Sequence, residues 1–546
     1  MPLPDYKGAW PPEPWNTAQS TYDLHSAWMS GDTEVLASFY SQYPDGNPPK
    51  VRSSQYSTGV IGRLARWFWG RPPLQATKRL HVPAPADVAR TSADLLFGQP
   101  PTWLLNEGDA TNLEAAQTRL DQLLDGADTV ATFLEAAEIQ AALGGVFLRL
   151  WWDTEATDKI MISAVAPDAA IPEWRYGRLS AVTFWTIVGE DKRGTWRHLE
   201  RHEPGRIEHA LYCGDGDHIG RRMPLEDMEA TAWAAEVVDE DSSIPTGVTG
   251  LTACYVPNVR PAHRWRNVPS LSPLGRSDFE GVEQLFDALD EAYSSWMRDL
   301  DLAKARLFVS QEALEDHGPG KGSSFDPEQA VFTGVPGSSL LPEDGPNQLV
   351  QAQQFDIRYE EHSATCRDLL NRIVHSAGYS IGDFGDDQMT AAMTATEVVA
   401  RKDLSNRTRA KKILYWQSSM QPLARTMLEL DQLVYGGNYG IQADPEMQFP
   451  IRVDVDPLQM SQSLANLRTA QLISIEQGVR ERSPNWSSTE VDEEVARIKA
   501  EIETEVPDPG DFTDAGADEA AEAHNDLQQG TDASEDVTDA ADTVER

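Results

Sequence analysis

The sequence predicts an α+β fold, on three observations. Residues 1–275 carry short strand-like runs punctuated by Gly, Pro and Asp at hairpin intervals. From residue 277 the apolar spacing switches to a helical period that recurs, between turn-rich, loop and strand segments, to about residue 505. Thirteen of the 16 tryptophans lie before residue 270, which puts the largest packed core in the first half. At 546 residues the chain is long enough for three or four domains, and a 40% hydrophobic share excludes wholesale disorder.

Charge narrows the function classes. Lys and Arg total 46 against 87 for Asp and Glu, a net −41. Tight non-specific DNA binding needs cations that displace phosphate counterions, and an acidic surface repels anionic membranes. Residues 501–546 hold 16 acids and one Arg, a local −15 that predicts a disordered acidic tail. The three cysteines, Cys213, Cys254 and Cys366, are dispersed, so reduced thiols in a protein folded in a cytoplasm are expected. MPLPDYKGAWPPEPW lacks the pattern of a secretory signal, and no run approaches 18 uninterrupted apolar residues, so no membrane association is expected.

In the first region, helical spacing marks Ala18–Met29, Thr33–Tyr43, Ala86–Phe97 and Thr129–Leu143. Strand patterns mark Val146–Trp152, Ile160–Val165, Leu179–Val188, Thr195–Arg201 and Arg206–Tyr212. Ser277-Asp278-Phe279-Glu280 has the form of a capping box that opens a helix. Phe279, Val282, Phe286, Leu289, Tyr293, Trp296 and Leu300 then alternate at intervals of three and four, the seam of a long helix packed lengthwise on others. Turn-rich residues 309–354 follow, with a short strand expected at Ala330–Thr333, then a helix from about Gln354 to Ala377 and a Gly/Asp loop over 378–393. Thr394–Glu397 is a second capping box, opening a helix to about Tyr435 that Pro422 is expected to kink. Phe449–Val455 reads as a strand, Asp456-Pro457 as a helix start, and Ser487-x-x-Glu490 as the cap of a last helix with Val491, Val495, Ile498 and Ile502 on one stripe.

Catalytic signatures fail on context. Gly378-Tyr379-Ser380-Ile381-Gly382 matches G-x-S-x-G, yet no buried strand precedes Ser380; a serine hydrolase using it is the minor alternative. Gly320-Lys321 lacks both the first Gly and the Ser/Thr of a phosphate loop. His198 and His202 share a strand face without a third ligand. No catalytic residue, metal site or cofactor is expected. Arg401, Lys402, Arg407, Arg409, Lys411 and Lys412 form a basic cluster that is notable in so acidic a chain. Its cations either pair with acidic neighbours, within the chain or across a subunit interface, or face a nucleic-acid backbone.

The order of parts resembles the Gp6-like portal proteins of tailed double-stranded DNA bacteriophages. The resemblance lies in ADLLFGQPP (Ala93–Pro101), in Asn258-Val-Arg260-Pro261, in GRSDFEGVEQLFDALDEAYS (Gly275–Ser294), in the helix–insert–helix–loop–helix order of 277–436 with its TATEVV junction, and in SSTEVDEEVARIKAE (Ser487–Glu501). It implies a portal-type fold: a mixed wing at 1–275 with a strand at 437–456, stem helices at 276–307 and 355–377, a small α/β clip at 308–354, a tunnel loop at 378–393, a long kinked helix at 394–436 and a helical crown at 457–505. Residues 506–546 fall outside the pattern. Gly382, Asp383, Asp386, Asp387 and Met389 would belong to the tunnel loop. The family's function would be a ring of twelve subunits at one capsid vertex, a channel for genome packaging and ejection. Its implied partners are double-stranded DNA, the terminase large subunit, a head–tail connector, and the major capsid and scaffolding proteins. Such a protein assembles in the host cytoplasm and resides in the virion. Another ring-forming connector or tail protein is the nearer alternative.

Overall fold

The computed structural model describes residues 3–4, 8–36, 80–302, 306–309, 315–316, 323–324, 350–353, 358–384, 395–450, 457–483, 486 and 488–505. It divides into two units, 1–450 and 451–546. The expected strand at Ala330–Thr333, tunnel-loop residues Asp386, Asp387 and Met389, most of PIRVDV and the acidic tail beyond 505 lie outside the described residues.

In the first unit, α1 (Trp15–Ser30) precedes α2 (Ala84–Phe97), β1 (Thr102–Leu104), α3 (Leu113–Leu124) and α4 (Ala127–Leu143). Helix α4 is buried on two sides because small and large apolar residues surround it: Ala141, Ala142 and Leu143 join one core while Phe133, Ala136 and Ala137 join another. The chain then enters β2 (Gly145–Trp151), β3 (Met161–Val165), β4 (Ala170–Arg175), β5 (Arg178–Asp191), β6 (Gly194–Glu203), β7 (Arg206–Gly214), β8 (Arg221–Met223), α5 (Glu229–Val237), β9 (Ser243–Pro245) and β10 (Ala253–Pro257). Strands β10, β2 and β3 form one antiparallel sheet; β4 to β8 form a second in sequence order, with β9 on β7. The Val-, Leu- and Phe-rich β2 is buried on both faces as the central strand of its sheet.

The expected helix start at Ser277 is displaced. Helix α6 runs Glu283–Leu302, because residues 277–278 are committed to the end of α4. Ser277 Oγ donates to Ala142 O at 2.5 Å and accepts from Phe279 N at 2.9 Å, while Asp278 N donates to Ala141 O at 2.9 Å. Gly281, at φ +92°, then turns the chain through a left-handed conformation that a helix interior does not contain. Phe279, Val282, Phe286 and Leu289 are fully buried in the core that also takes in α1 and α2. Tyr293, Trp296 and Leu300 are only half-buried.

Short strand pairs follow: β11 (Arg306–Val309), β12 (Glu315–Asp316), β13 (Ser323–Ser324) and β14 (Val350–Gln353), with β11 antiparallel to β14 and β12 to β13. Helix α7 (Tyr359–Ala377) packs on α6: the His362 ring stacks on Trp296 at 6.1 Å, and Asp299 receives hydrogen bonds from His362 (2.9 Å) and Arg358 (2.5 Å). Those two donors hold the Asp299 carboxyl below its usual range. Helix α8 (Ala395–Val434) is continuous over 40 residues and contains Pro422. Its second half supplies Trp416, Met420, Leu423, Met427 and Leu428 to the core shared with α2, α3 and α4. Arg119 of α3 grips the fully buried Asp431 with two 2.8 Å hydrogen bonds. Strand β15 (Glu446–Gln448) ends before the expected Phe449–Val455 run and pairs with β1.

The second unit contains α9 (Pro457–Thr469), α10 (Ile475–Arg482) and α11 (Ser488–Glu505). Ser474 caps α10 by accepting from Gln477 N at 3.0 Å. The expected stripe of α11 is confirmed for Val491, Val495 and Ile498, which pack on Val479 and Ile475. All three cysteines are free thiols. No helix among the described residues is long and apolar enough to cross a membrane.

Candidate functional site

The described cations of the basic cluster on α8 divide into an inward and an outward pair. A helix places i, i+3, i+4 and i+7 on one side, and here Ser405, Thr408 and Lys412 form the buried stripe. Lys412 is 1% exposed and all three of its ammonium hydrogens are used: on Asp278 Oδ2 (2.7 Å), Ser92 Oγ (2.7 Å) and the Tyr379 hydroxyl oxygen (2.8 Å). Tyr379 in turn donates to Asp278 Oδ2 at 2.6 Å, and Asn258 Nδ2 donates to Asp278 Oδ1 at 2.7 Å. Burial pushes the Lys412 pKa down and that of Tyr379 up, with Asp278 opposing the first and adding to the second. Lys412 therefore faces neither DNA nor a neighbouring subunit; it completes an ion pair inside its own chain.

Arg409 is also turned inward. Its guanidinium donates to Leu95 O (2.7 Å), among the last carbonyls of α2 that lack a helical partner, and to Pro450 O (2.9 Å). Arg407 and Lys411 are exposed, with Arg407 paired to Asp403 one turn away. The side chains of Arg401 and Lys402 lie outside the described residues.

The segment after α7 is fastened to the same stripe. Thr408 Oγ1 donates to Gly378 O at 2.6 Å, and Ser405 Oγ accepts from Ser380 N at 2.8 Å and donates to Asp383 Oδ2 at 2.5 Å. Gly382 has open space around it. Ser380 follows a helix rather than a strand, and its buried hydroxyl has no hydrogen-bond partner among the described residues. A nucleophile elbow needs a strand directly before the serine, so the local geometry is not that of a hydrolase elbow. Ser405 and Thr408 escaped the sequence reading, and the signal that finds them is a polar side chain at successive inward positions of a helix; Asp278 and Tyr379 were read only as parts of a capping box and a G-x-S-x-G string, and lie outside the helices.

His198 and His202 do share a face of β6, inside a second buried polar group. His202 lies between Thr252 Oγ1 and Glu200, each at 2.7 Å, and Arg149 approaches Glu200 at 2.5 Å. His198 Nε2 and His209 Nδ1 are 3.2 Å apart with their rings stacked. Burial pushes the His209 pKa down to about 4. The described residues contain no group of three or more His, Cys, Asp or Glu that would hold a metal ion.

The sequence profile of phage portal proteins of the SPP1 Gp6-like type matches residues 70–508, most of the chain. The chain belongs to this portal family. None of the curated protein sequences matches it. Among solved structures, the portal chain is similar to one titled "Neck of native GTA particle computed with C12 symmetry", at 13% identity and a TM-score of 0.36, covering 77% of this chain and 98% of the other. A second, "Neck of empty GTA particle computed with C6 symmetry", gives 13% and 0.36 over 78% and 94%. A third, "Virion of native gene transfer agent (GTA) particle", gives 14% and 0.35 over 76% and 96%. In this portal protein, the conspicuous basic cluster is in good part internal cement.

Proposed function

We propose that this portal protein forms a ring of twelve copies at one vertex of a phage capsid, residing in the virion after assembly in the host cytoplasm. The ring is a conduit for double-stranded DNA during packaging and ejection. It docks the terminase large subunit and later a head–tail connector, and it contacts the major capsid and scaffolding proteins. The observation that carries the reading is the family match over residues 70–508. In this reading the wing comprises 1–275 and 437–456, the stem 276–307 and 355–377, the clip 308–354, the tunnel loop 378–393 and the crown 457–505, with the long helix at 394–436.

Two physical features support it. The first half of the α6 seam is consumed inside its own subunit, but Tyr293, Trp296 and Leu300 keep exposed apolar area that a neighbouring stem covers in a ring. The net −41 becomes −492 over twelve copies, and an acidic wall lets a polyanion slide instead of holding it through neutralised phosphates. Arg407 and Lys411 are the described cluster cations left to meet DNA or a neighbour. The chain performs no catalysis itself; the motor that drives DNA is a partner.

The test is the mass and shape of the purified full chain, by light scattering and negative-stain imaging. A ring of about twelve subunits around a hole is expected. A monomer or dimer at every concentration and salt condition overturns the reading.

A further inference from the structure

The turn between β4 and β5 is Arg175-Tyr176-Gly177-Arg178, with Arg175 and Arg178 paired across the ladder. Tyr176 has φ +52° and Gly177 φ +76°, the two left-handed positions of a type I′ hairpin. Gly177 suits such a position; Tyr176 does not, because a Cβ-bearing aromatic there is strained by about 1 kcal/mol where Asn or Asp is tolerated. No packing inside the subunit offsets that strain, since Tyr176 is 99% exposed. Arg175 and Arg178 are exposed too, and among the described residues neither guanidinium has an ion pair or hydrogen bond. Some exposed arginines elsewhere, among them Arg90, Arg193, Arg206 and Arg372, sit against acids of their own chain.

The arm beneath the tip is rigid. Glu173 of β4 pairs with Arg201 of β6 at 2.5 Å, Ser180 Oγ donates to Glu173 O at 3.0 Å, and Trp174 packs edge-on against Tyr255. The fold thus holds a tyrosine between two free guanidinium groups at the end of a fixed lever. Tyr and Arg on a pre-organised support are the residues that anchor protein–protein contacts.

A complementary surface exists on the same chain, at the turn between β2 and β3. Asp128, Glu155, Asp158 and Met161 are among the residues lining an open groove of about 550 Å³. At its edge Trp151, cross-strand neighbour of Met161, is 37% exposed. Lys159 pairs with Asp128, whereas Glu155 and Asp158 are in no ion pair among the described residues. A mostly polar groove that offers Ala156 and Met161 beside two unpaired carboxylates matches a tyrosine with two unpaired guanidiniums. Tyr176 is 99% exposed, so it does not occupy this groove within its own subunit.

We propose that the Arg175–Arg178 hairpin tip is a knob that seats in the Trp151–Met161 groove of a second copy of this chain, a contact that rests on the ring reading above. Knob and groove are different surfaces, so the contact is head-to-tail, the type that closes into a ring when its rotation permits. A duplex is the less fitting occupant: phosphates need only the cations, and nothing in them rewards a strained tyrosine over Asn.

The experiment uses the full chain and measures assembled mass against concentration, at low and high salt. Tyr176→Asn, the pair R175E/R178E and the pair E155R/D158R are each expected to raise the concentration for half-assembly about tenfold or more, with subunit melting unchanged, or raised for Y176N. Combining the two charge-reversing pairs restores assembly. A photo-crosslinking residue at 176 is expected to join residues 151–161 of another copy. Unchanged assembly in all three variants, or crosslinks that map elsewhere, overturns the contact. Variants that assemble normally but lose DNA retention overturn it in favour of a nucleic-acid contact. A wild-type chain that never assembles refutes the ring reading itself, whereas a ring-forming wild type with indifferent variants refutes the knob alone.

Discussion

Lys412→Met removes the charge from the buried pair while keeping much of the side chain's volume. Asp278 is then left buried without its cation, retaining two donors, Asn258 Nδ2 at 2.7 Å and the Tyr379 hydroxyl at 2.6 Å. Breaking a buried pair by deleting one partner costs about 3–5 kcal/mol, and the two surviving hydrogen bonds place this case near the lower end, at about 3 kcal/mol. Urea unfolding of the full chain, followed by tryptophan fluorescence with Trp416 one turn away on α8, reads the change. At an m-value near 3 kcal/mol per molar, the midpoint drops by about 1 M. Adding Asp278→Asn removes the orphaned charge and is expected to recover at least half of the loss, a coupling of about 1.5–2 kcal/mol in a double-mutant cycle. A K412M midpoint within about 0.2 M of wild type, or an additive double mutant, refutes the claim that this pair is held as a desolvated unit.

Three further outcomes are expected. His209 binds its proton in the folded state only near pH 4, against about 6.5 unfolded, so the unfolded chain binds more protons in that window and stability falls as pH drops through it; the loss is about 3 kcal/mol, and His209→Gln flattens the urea midpoint between pH 7 and 4. Leu289→Ala, deep in the subunit core, lowers unfolding free energy by about 2–5 kcal/mol, whereas Tyr293→Ala, half-buried on the same seam, leaves the isolated subunit within about 1.5 kcal/mol and weakens assembly measured by light scattering. Trp416→Phe deletes the 2.9 Å indole hydrogen bond to Gln140 Oε1 and strands a buried acceptor; melting is expected to show about 1–3 kcal/mol of destabilisation.

Hairpins β5 to β7 were legible because alternation and Gly-marked turns are local signals, and α6 to α8 because their apolar spacing is long and regular. Strand β4 escaped because Pro172 argues against a strand; it is tolerated where β4 forms the sheet edge. Strand β10 was hidden because its partner β2 lies far earlier in the chain rather than across a local turn, and helix α3 because no side-chain cap marks its start. The α6 start was misplaced because Ser277 and Asp278 answer to α4 and Lys412, partners at least 134 residues away that no local pattern contains. For the same reason composition grouped Lys412 and Arg409 with Arg407 and Lys411. A cation's charge is visible in the sequence, but its direction is fixed by what packs on the helix.

The shared core of α2, α3, α4 and α8 also bears on how the chain is made. Phe97, Trp103, Phe133 and Val146 find their covering residues at Trp416 to Leu428, far later in the chain. At a synthesis rate of about 5–20 residues per second, the early half waits roughly 10–30 s after its own sheets are complete before α8 leaves the ribosome. Through that interval a sizeable apolar surface stands open on a nascent chain. The α8 helix is in this sense a late-arriving lid on the subunit's own birth, and a holding chaperone has a defined window in which to be useful.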